Sequence, residues 1–165
     1  KDHKYKSPIT KKIVLFLDEI GIKVEFRKVW GKTIIPGIKI IDGVLTVDES
    51  KLTYPGDLLH EAGHLAVMPK ERREACGPNA GTNGGEEMGA IAWSYAAILH
   101  LEMEPEIVFH SGGYRGASDS IIENFSHGRY FGVPFLQWKG LSAEEKNAKE
   151  MGLEVFPKMS KWLSD

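Results

Sequence analysis

Apolar residues recur at i, i+3, i+4 and i+7 through Ile13, Phe16, Leu17 and Ile20, so a helix is expected over Ser7 to Ile20, with Gly21 placed to end it. From Ile22 to Arg27 apolar and charged residues alternate, the period of a half-buried strand. Trp30-Gly31-Lys32 reads as a turn. The β-formers Ile38 to Ile41 and Val44 to Val47 flank Asp42-Gly43, a strong hairpin signal. A polar loop runs from Asp48 to Tyr54, and Pro55 to Val67 then reads as a helix that stops before Pro69. Its apolar residues fall on more than one face, which predicts a buried helix. Lys70 to Gly85 reads as a polar connection, and Glu86 to Leu101 as a second helix dense in Ala and aromatic residues. Farther on, Ser111 to Gly116 is a loop, and Ser118 to Phe125 a helix capped by Ser118 or Asp119. Tyr130 to Leu136 reads as an aromatic, strand-like segment broken by Pro134. Ser142 to Met151 reads as a charged helix with a capping box made by Ser142 and Glu145.

This order predicts an α+β fold, and 165 residues suit one domain, with a core over about residues 8–101 and a C-terminal extension over about 102–165. The net charge of −2 gives no electrostatic reason to expect nucleic acid or an anionic membrane. Cys76 is the only cysteine, which rules out an intrachain disulfide and any cysteine-rich zinc site. A free thiol and the lack of an apolar leader in residues 1–12 point to a reducing, cytoplasmic compartment. The longest apolar runs fall far short of the ~20 residues that cross a bilayer.

The chemistry is concentrated in His60-Glu61-Ala62-Gly63-His64, an H-E-x-x-H string on the predicted Pro55 to Val67 helix. Helical positions i and i+4 share a face, so the two imidazoles can grip one Zn²⁺ while Glu61 takes a proton from a water on that metal. Burying two imidazoles and a carboxylate in an apolar helix is costly unless a metal or hydrogen bonds compensate. A catalytic zinc usually has three protein ligands. No third histidine follows at the H-E-x-x-H-x-x-G-x-x-H spacing, because Leu65 to Lys70 contains none. A carboxylate from the next helix is the remaining common solution, and Glu86 and Glu87 both stand at its start. Asn83 is a good N-cap and Glu86 is placed to reach back to it, which leaves Glu87 as the expected ligand and Glu86 as the alternative.

These residues resemble the gluzincin metallopeptidases, in which H-E-x-x-H is joined by a glutamate from the following helix. The sequence of helix, strand, hairpin and H-E-x-x-H helix is similar to the small ImmA/IrrE-type family. The likeness runs through Ile41 to Val47, Leu58 to Leu65, and Glu87-Met88-Gly89-Ala90 followed by Trp93, and covers roughly Ile13 to Leu101. Ile91 stands where related families often place an aspartate. The resemblance implies a minimal zincin-like core and zinc-dependent hydrolysis of a peptide or protein substrate, with Glu61 as general base. It also implies an extended substrate lying along an edge strand, for which Val44 to Val47 is the expected rail. A non-catalytic sensor that keeps the metal site is the alternative function. Stabilising developing oxyanion charge needs a donor from outside the helix. His110, Tyr114, Arg115, His127 and Tyr130 are the candidates, with His127 and Tyr130 favoured because Gly128 lies between them. Asp48, Asp57, Asp119 and Glu123 are the candidate hydrogen-bond acceptors for the ligand imidazoles.

Overall fold

The computed structural model describes residues 3–78 and 83–165. Among them, seven α-helices and one three-stranded sheet make a mixed α+β fold. Helix α1 (Pro8–Ile20) starts at Ser7, whose hydroxyl accepts the Ile9 and Thr10 N–H groups, and ends at Gly21 with φ 100°. It turns Ile13, Phe16 and Leu17 into the core, and each such side chain contributes about 1.5–3 kcal/mol through burial.

The sheet comprises β1 (Val24–Phe26), β2 (Ile38–Ile41) and β3 (Val44–Val47). Strands β2 and β3 pair antiparallel, Ile41 opposite Val44 and Ile38 opposite Val47. Asp42 (φ 49°) and Gly43 (φ 78°) make the tight connection, with both residues left-handed as a two-residue hairpin requires. Strand β1 lies parallel to β3 on its other side, giving the order β1-β3-β2. This corrects the expected substrate rail: β3 is paired along both edges, and Leu45, Thr46 and Val47 are buried. The edge strands are β1 and β2, and the segment leading into β2 lines the cavity described below.

Helices α2 (Asp57–Val67) and α4 (Gly84–His100) form the centre of the molecule. They run antiparallel, since Gly63 meets Ala90 while the Ser94 hydroxyl donates to the Leu59 carbonyl at 3.3 Å. A Cβ on Gly63 would stand 2.9 Å from the Ala90 carbonyl oxygen, so the missing side chain is what permits this approach. Between the two helices lies α3 (Lys70–Glu74), a short helix where a plain connection was expected. From it Arg73 donates to the carbonyls of Leu65 (2.8 Å) and Met68 (3.1 Å), satisfying the end of α2. The glycine-rich residues 79–82 of that connection lie outside the described residues.

In the C-terminal region α5 (Ser118–Ser126) lies close to its expected position, but without a side-chain cap. The aromatic segment expected to be strand-like is instead α6 (Val133–Trp138). Gly132 (φ 81°) turns the chain against the Met88 carbonyl, and Pro134 follows in the first helical turn, where its fixed φ favours a helix start. The expected cap at Ser142 is also corrected. Its hydroxyl is buried and donates to the Lys158 carbonyl at 2.6 Å, while α7 (Glu145–Met151) begins without a side-chain cap. The tail then returns to the central helices: Ser164 N–H donates to Ala66 (2.8 Å) and the Trp93 indole donates to the Trp162 carbonyl (2.9 Å). The tail thereby packs along the α2–α4 pair. No described helix is long and apolar enough to cross a membrane.

Candidate metal centre and its cavity

One helical turn on α2 sets the His60 and His64 rings 4.9 Å apart and nearly perpendicular. Glu87, in the first turn of α4, faces them across the helix seam. Its Oε1 lies 2.7 Å from His64 Nε2 and 3.8 Å from His60 Nε2. One ligand atom from each residue falls within 4.8 Å of the others. Glu86 is not part of this group. Its backbone N–H is capped by Asn83 at 2.9 Å, but its buried carboxylate pairs with Arg72 of α3 rather than reaching back to Asn83. The cap and the ion pair turn Glu86 away and leave Glu87 on the side of the histidines.

Electrostatics follow from burial. Desolvation, with His64 nearby, pulls the His60 imidazole down to about 4. At His64 burial works against the charged form, yet the hydrogen bond and charge of Glu87 together raise it. The hydrogen bond from His64 in turn lowers the Glu87 carboxyl. Glu61 lines the same cavity, and burial lifts its carboxyl to about 7. Two imidazoles and two carboxyl groups are thus packed together with too little water to solvate them all in charged form. The His64 Nδ1 atom is buried with no hydrogen-bond partner among the described residues.

The opposite wall is the loop from His110 to Ala117. The Tyr114 hydroxyl lies 3.0 Å from His60 Nδ1, with the ring edge-on to the imidazole. Burial, and the acidic groups Glu87, Asp57 and Glu61, push this phenol well above its usual range, so it keeps its proton. Were a metal to take His60 Nε2, the ring proton would belong on Nδ1. Tyr114 would then accept that proton's hydrogen bond, leaving its own O–H to donate into the cavity. Behind it, His110 Nε2 donates to Asp57 Oδ1 at 2.6 Å, and His110 Nδ1 accepts the Gly112 N–H at 3.2 Å. The His110 ring stacks on Tyr54 at 3.6 Å. Burial raises the Asp57 carboxyl, against the pull of His110. Ser118 closes the loop by donating to the His110 carbonyl at 2.6 Å.

His127 and Tyr130, the favoured oxyanion donors, are displaced from this role. His127 is exposed beyond the end of α5, its Nδ1 at 2.8 Å from the Glu123 carbonyl, and Tyr130 packs edge-on against Phe156 at 4.7 Å. Neither lines the cavity. The α5 residues that do, Ala117, Ser120, Ile121 and Asn124, form a helical face that ends before His127. Among the candidate acceptors, Asp57 is the one near the imidazoles. Asp48 instead accepts from Val29 and Ser50 beside the sheet, and Asp119 and Glu123 are exposed. The sequence reading missed the far lip of the cavity, Ile34, Ile35 and Pro36. Three consecutive apolar residues just before an edge strand are the signal that could have drawn attention to it. The whole cavity holds about 1050 Å³, ample for several residues of an extended peptide.

Comparison with family models, with curated proteins and with solved structures returned no match to this chain.

Proposed function

We propose that this chain is a zinc-dependent peptide hydrolase built on a zincin-like core. The observation that carries this reading is the convergence of His60 Nε2, His64 Nε2 and Glu87 Oε1 beside the Glu61 carboxyl, at the floor of a large cavity. The donor set suits the ion. Ligand atoms about 2.1 Å from one tetrahedral Zn²⁺ stand roughly 3.4 Å apart, and 3.8 and 2.7 Å bracket that separation. Two neutral imidazoles with one carboxylate form a common catalytic zinc set. The cost of burying two imidazoles and two carboxyl groups side by side is one that a divalent cation would offset.

When bound, the ion would lower the pKa of a water and polarise a substrate carbonyl. Glu61, lining the same cavity, takes up the proton of the attacking water. As the carbonyl carbon becomes tetrahedral and the C–N bond breaks, Glu61 passes that proton to the leaving amine. Tyr114 donates its free O–H to the oxygen that gains negative charge. The open edge of β2 and the Ile34–Pro36 lip guide an extended chain past these groups.

The test is cleavage of a mixed peptide library, followed by mass spectrometry, with zinc-loaded wild-type protein, chelator-treated protein and Glu61→Gln. Cleavage by the first alone, with zinc and fold retained in the variant, is the expected result. Indifference to Glu61→Gln would point instead to a non-catalytic sensor, and absence of stoichiometric zinc would end both readings.

A further inference from the structure

The loop that carries Tyr114 contains a feature that hydrolysis alone does not use. Tyr114 (φ 57°), Arg115 (φ 53°) and Gly116 (φ 85°) follow one another in the left-handed region. For two non-glycine residues this costs about 1–3 kcal/mol each, and such strain persists only where the surroundings enforce it. Here they do, through the Asp57–His110 pair, the His110–Gly112 bond and the Ser118 hydroxyl. The strained turn points successive side chains in different directions. Tyr114 goes inward to His60, while Arg115 stands exposed on the rim and still lines the cavity.

Arg115 is the one lysine or arginine among the described cavity-lining residues, whose carboxyl groups are Asp57, Glu61 and Glu87. Its guanidinium takes no part in the bonds that hold the loop. The described ion pairs engage Arg72 and Arg129 instead. A rim cation with no ion-pair partner among the described residues, one residue from the hydroxyl that faces His60, is placed to take an anion carried by the substrate. Its planar fork matches a carboxylate bidentately. The walls nearby, including Ile121 of α5 and Ile91 of α4, are apolar, so the side chains flanking that anion are accommodated by burial.

We infer that Arg115 selects substrates by a carboxylate close to the scissile bond, either the free C-terminus of a short peptide or an acidic side chain. This rests on the hydrolase reading above. The test uses zinc-loaded protein and paired peptide libraries: free acid against C-terminal amide, and amides containing glutamate against the same amides with glutamine. Arg115→Asn is the informative variant, because Asn enters the left-handed region more readily than other non-glycine residues and keeps the turn. Wild type is expected to prefer the carboxylate member of one pair by roughly 10- to 100-fold in kcat/KM, the worth of a charge-assisted hydrogen bond. That ratio should collapse toward one in Arg115→Asn and fall partway in Arg115→Lys, which keeps charge but loses the fork. The pair that shows the preference identifies the source of the carboxylate. Cleavage with no preference in either pair, or a preference that survives Arg115→Asn, would overturn the assignment while leaving the peptidase intact. No cleavage in any library by protein with bound zinc would remove the hydrolase reading, and this inference with it.

Discussion

Helices α2 and α4 form one wall of the cavity and the loop from His110 to Ala117 forms the other, and the two bring chemistry to the same place by different means. On the helical wall, position follows from local geometry: four residues of separation put His60 above His64, and a missing Cβ at Gly63 draws α4 close enough for Glu87 to meet them. On the loop wall nothing local suffices. Tyr114 reaches His60 because residues far apart in sequence, Tyr54, Asp57, His110 and Ser118, hold a strained turn in place. On the proposed reading the helical wall supplies the metal ligands, whereas the loop wall orients them and meets the substrate. Variants on the two walls should therefore fail in different ways.

The largest effect is expected at the helical wall. Glu61→Gln should lower kcat by about 10³-fold, within the usual range for losing a general base, with zinc content unchanged by mass spectrometry. The same variant should reverse sign in stability. Burial lifts the Glu61 carboxyl from 4.5 to about 7, so between those values the folded, metal-free chain keeps a proton that the unfolded chain has lost. Stability contributed by this group is complete below the lower value and falls as pH rises through the window. In chelator near pH 8, Glu61→Gln should therefore be more stable to urea than wild type, on the order of 3 kcal/mol. The difference should vanish near pH 4. A constant difference across pH would mean that Glu61 is solvated in the folded chain.

Loop-wall variants should be milder and leave the ligand cluster in place. Tyr114→Phe removes the oxygen that faces His60 Nδ1 and should cost roughly 10- to 100-fold in zinc affinity or turnover, read by competition with a fluorescent chelator and by peptide cleavage. Smallest is Gly112→Ala, whose Cβ would lie 2.8 Å from the Tyr54 ring. Thermal unfolding should show a loss of about 1 kcal/mol, or a Tm lower by about 2–4 °C, and KM should rise more than kcat falls. Equal changes in both walls' variants would contradict the division drawn here.

The same contrast explains what could be read from the chain. Helix α1, the Asp42-Gly43 hairpin and the H-E-x-x-H helix depend on short-range periodicity and turn residues, and all were legible. Glu87 was separable from Glu86, although half of the reason differed: the cap at Asn83 is present, but it is Arg72 that turns the Glu86 carboxylate away. Beyond residue 110 the determinants are long-range. The aromatic content of Tyr130 to Leu136 argued for a strand, yet Gly132 packed on Met88 and Pro134 at a helix start decided otherwise. Ser142 had the spacing of a cap but found a better acceptor in Lys158, sixteen residues away. His127 and Tyr130 were favoured for a mobile glycine between them. Tyr114 owes its place to a hydrogen bond between His110 and Asp57, 53 positions apart, which no local pattern announces.

The most direct measurement is anomalous diffraction at the zinc absorption edge, from crystals of protein purified with zinc and without chelator. One peak per chain, within about 2.2 Å of His60 Nε2, His64 Nε2 and a Glu87 carboxylate oxygen, is the expected result. A fully occupied peak elsewhere, or none at this cluster despite stoichiometric zinc in solution, would contradict it.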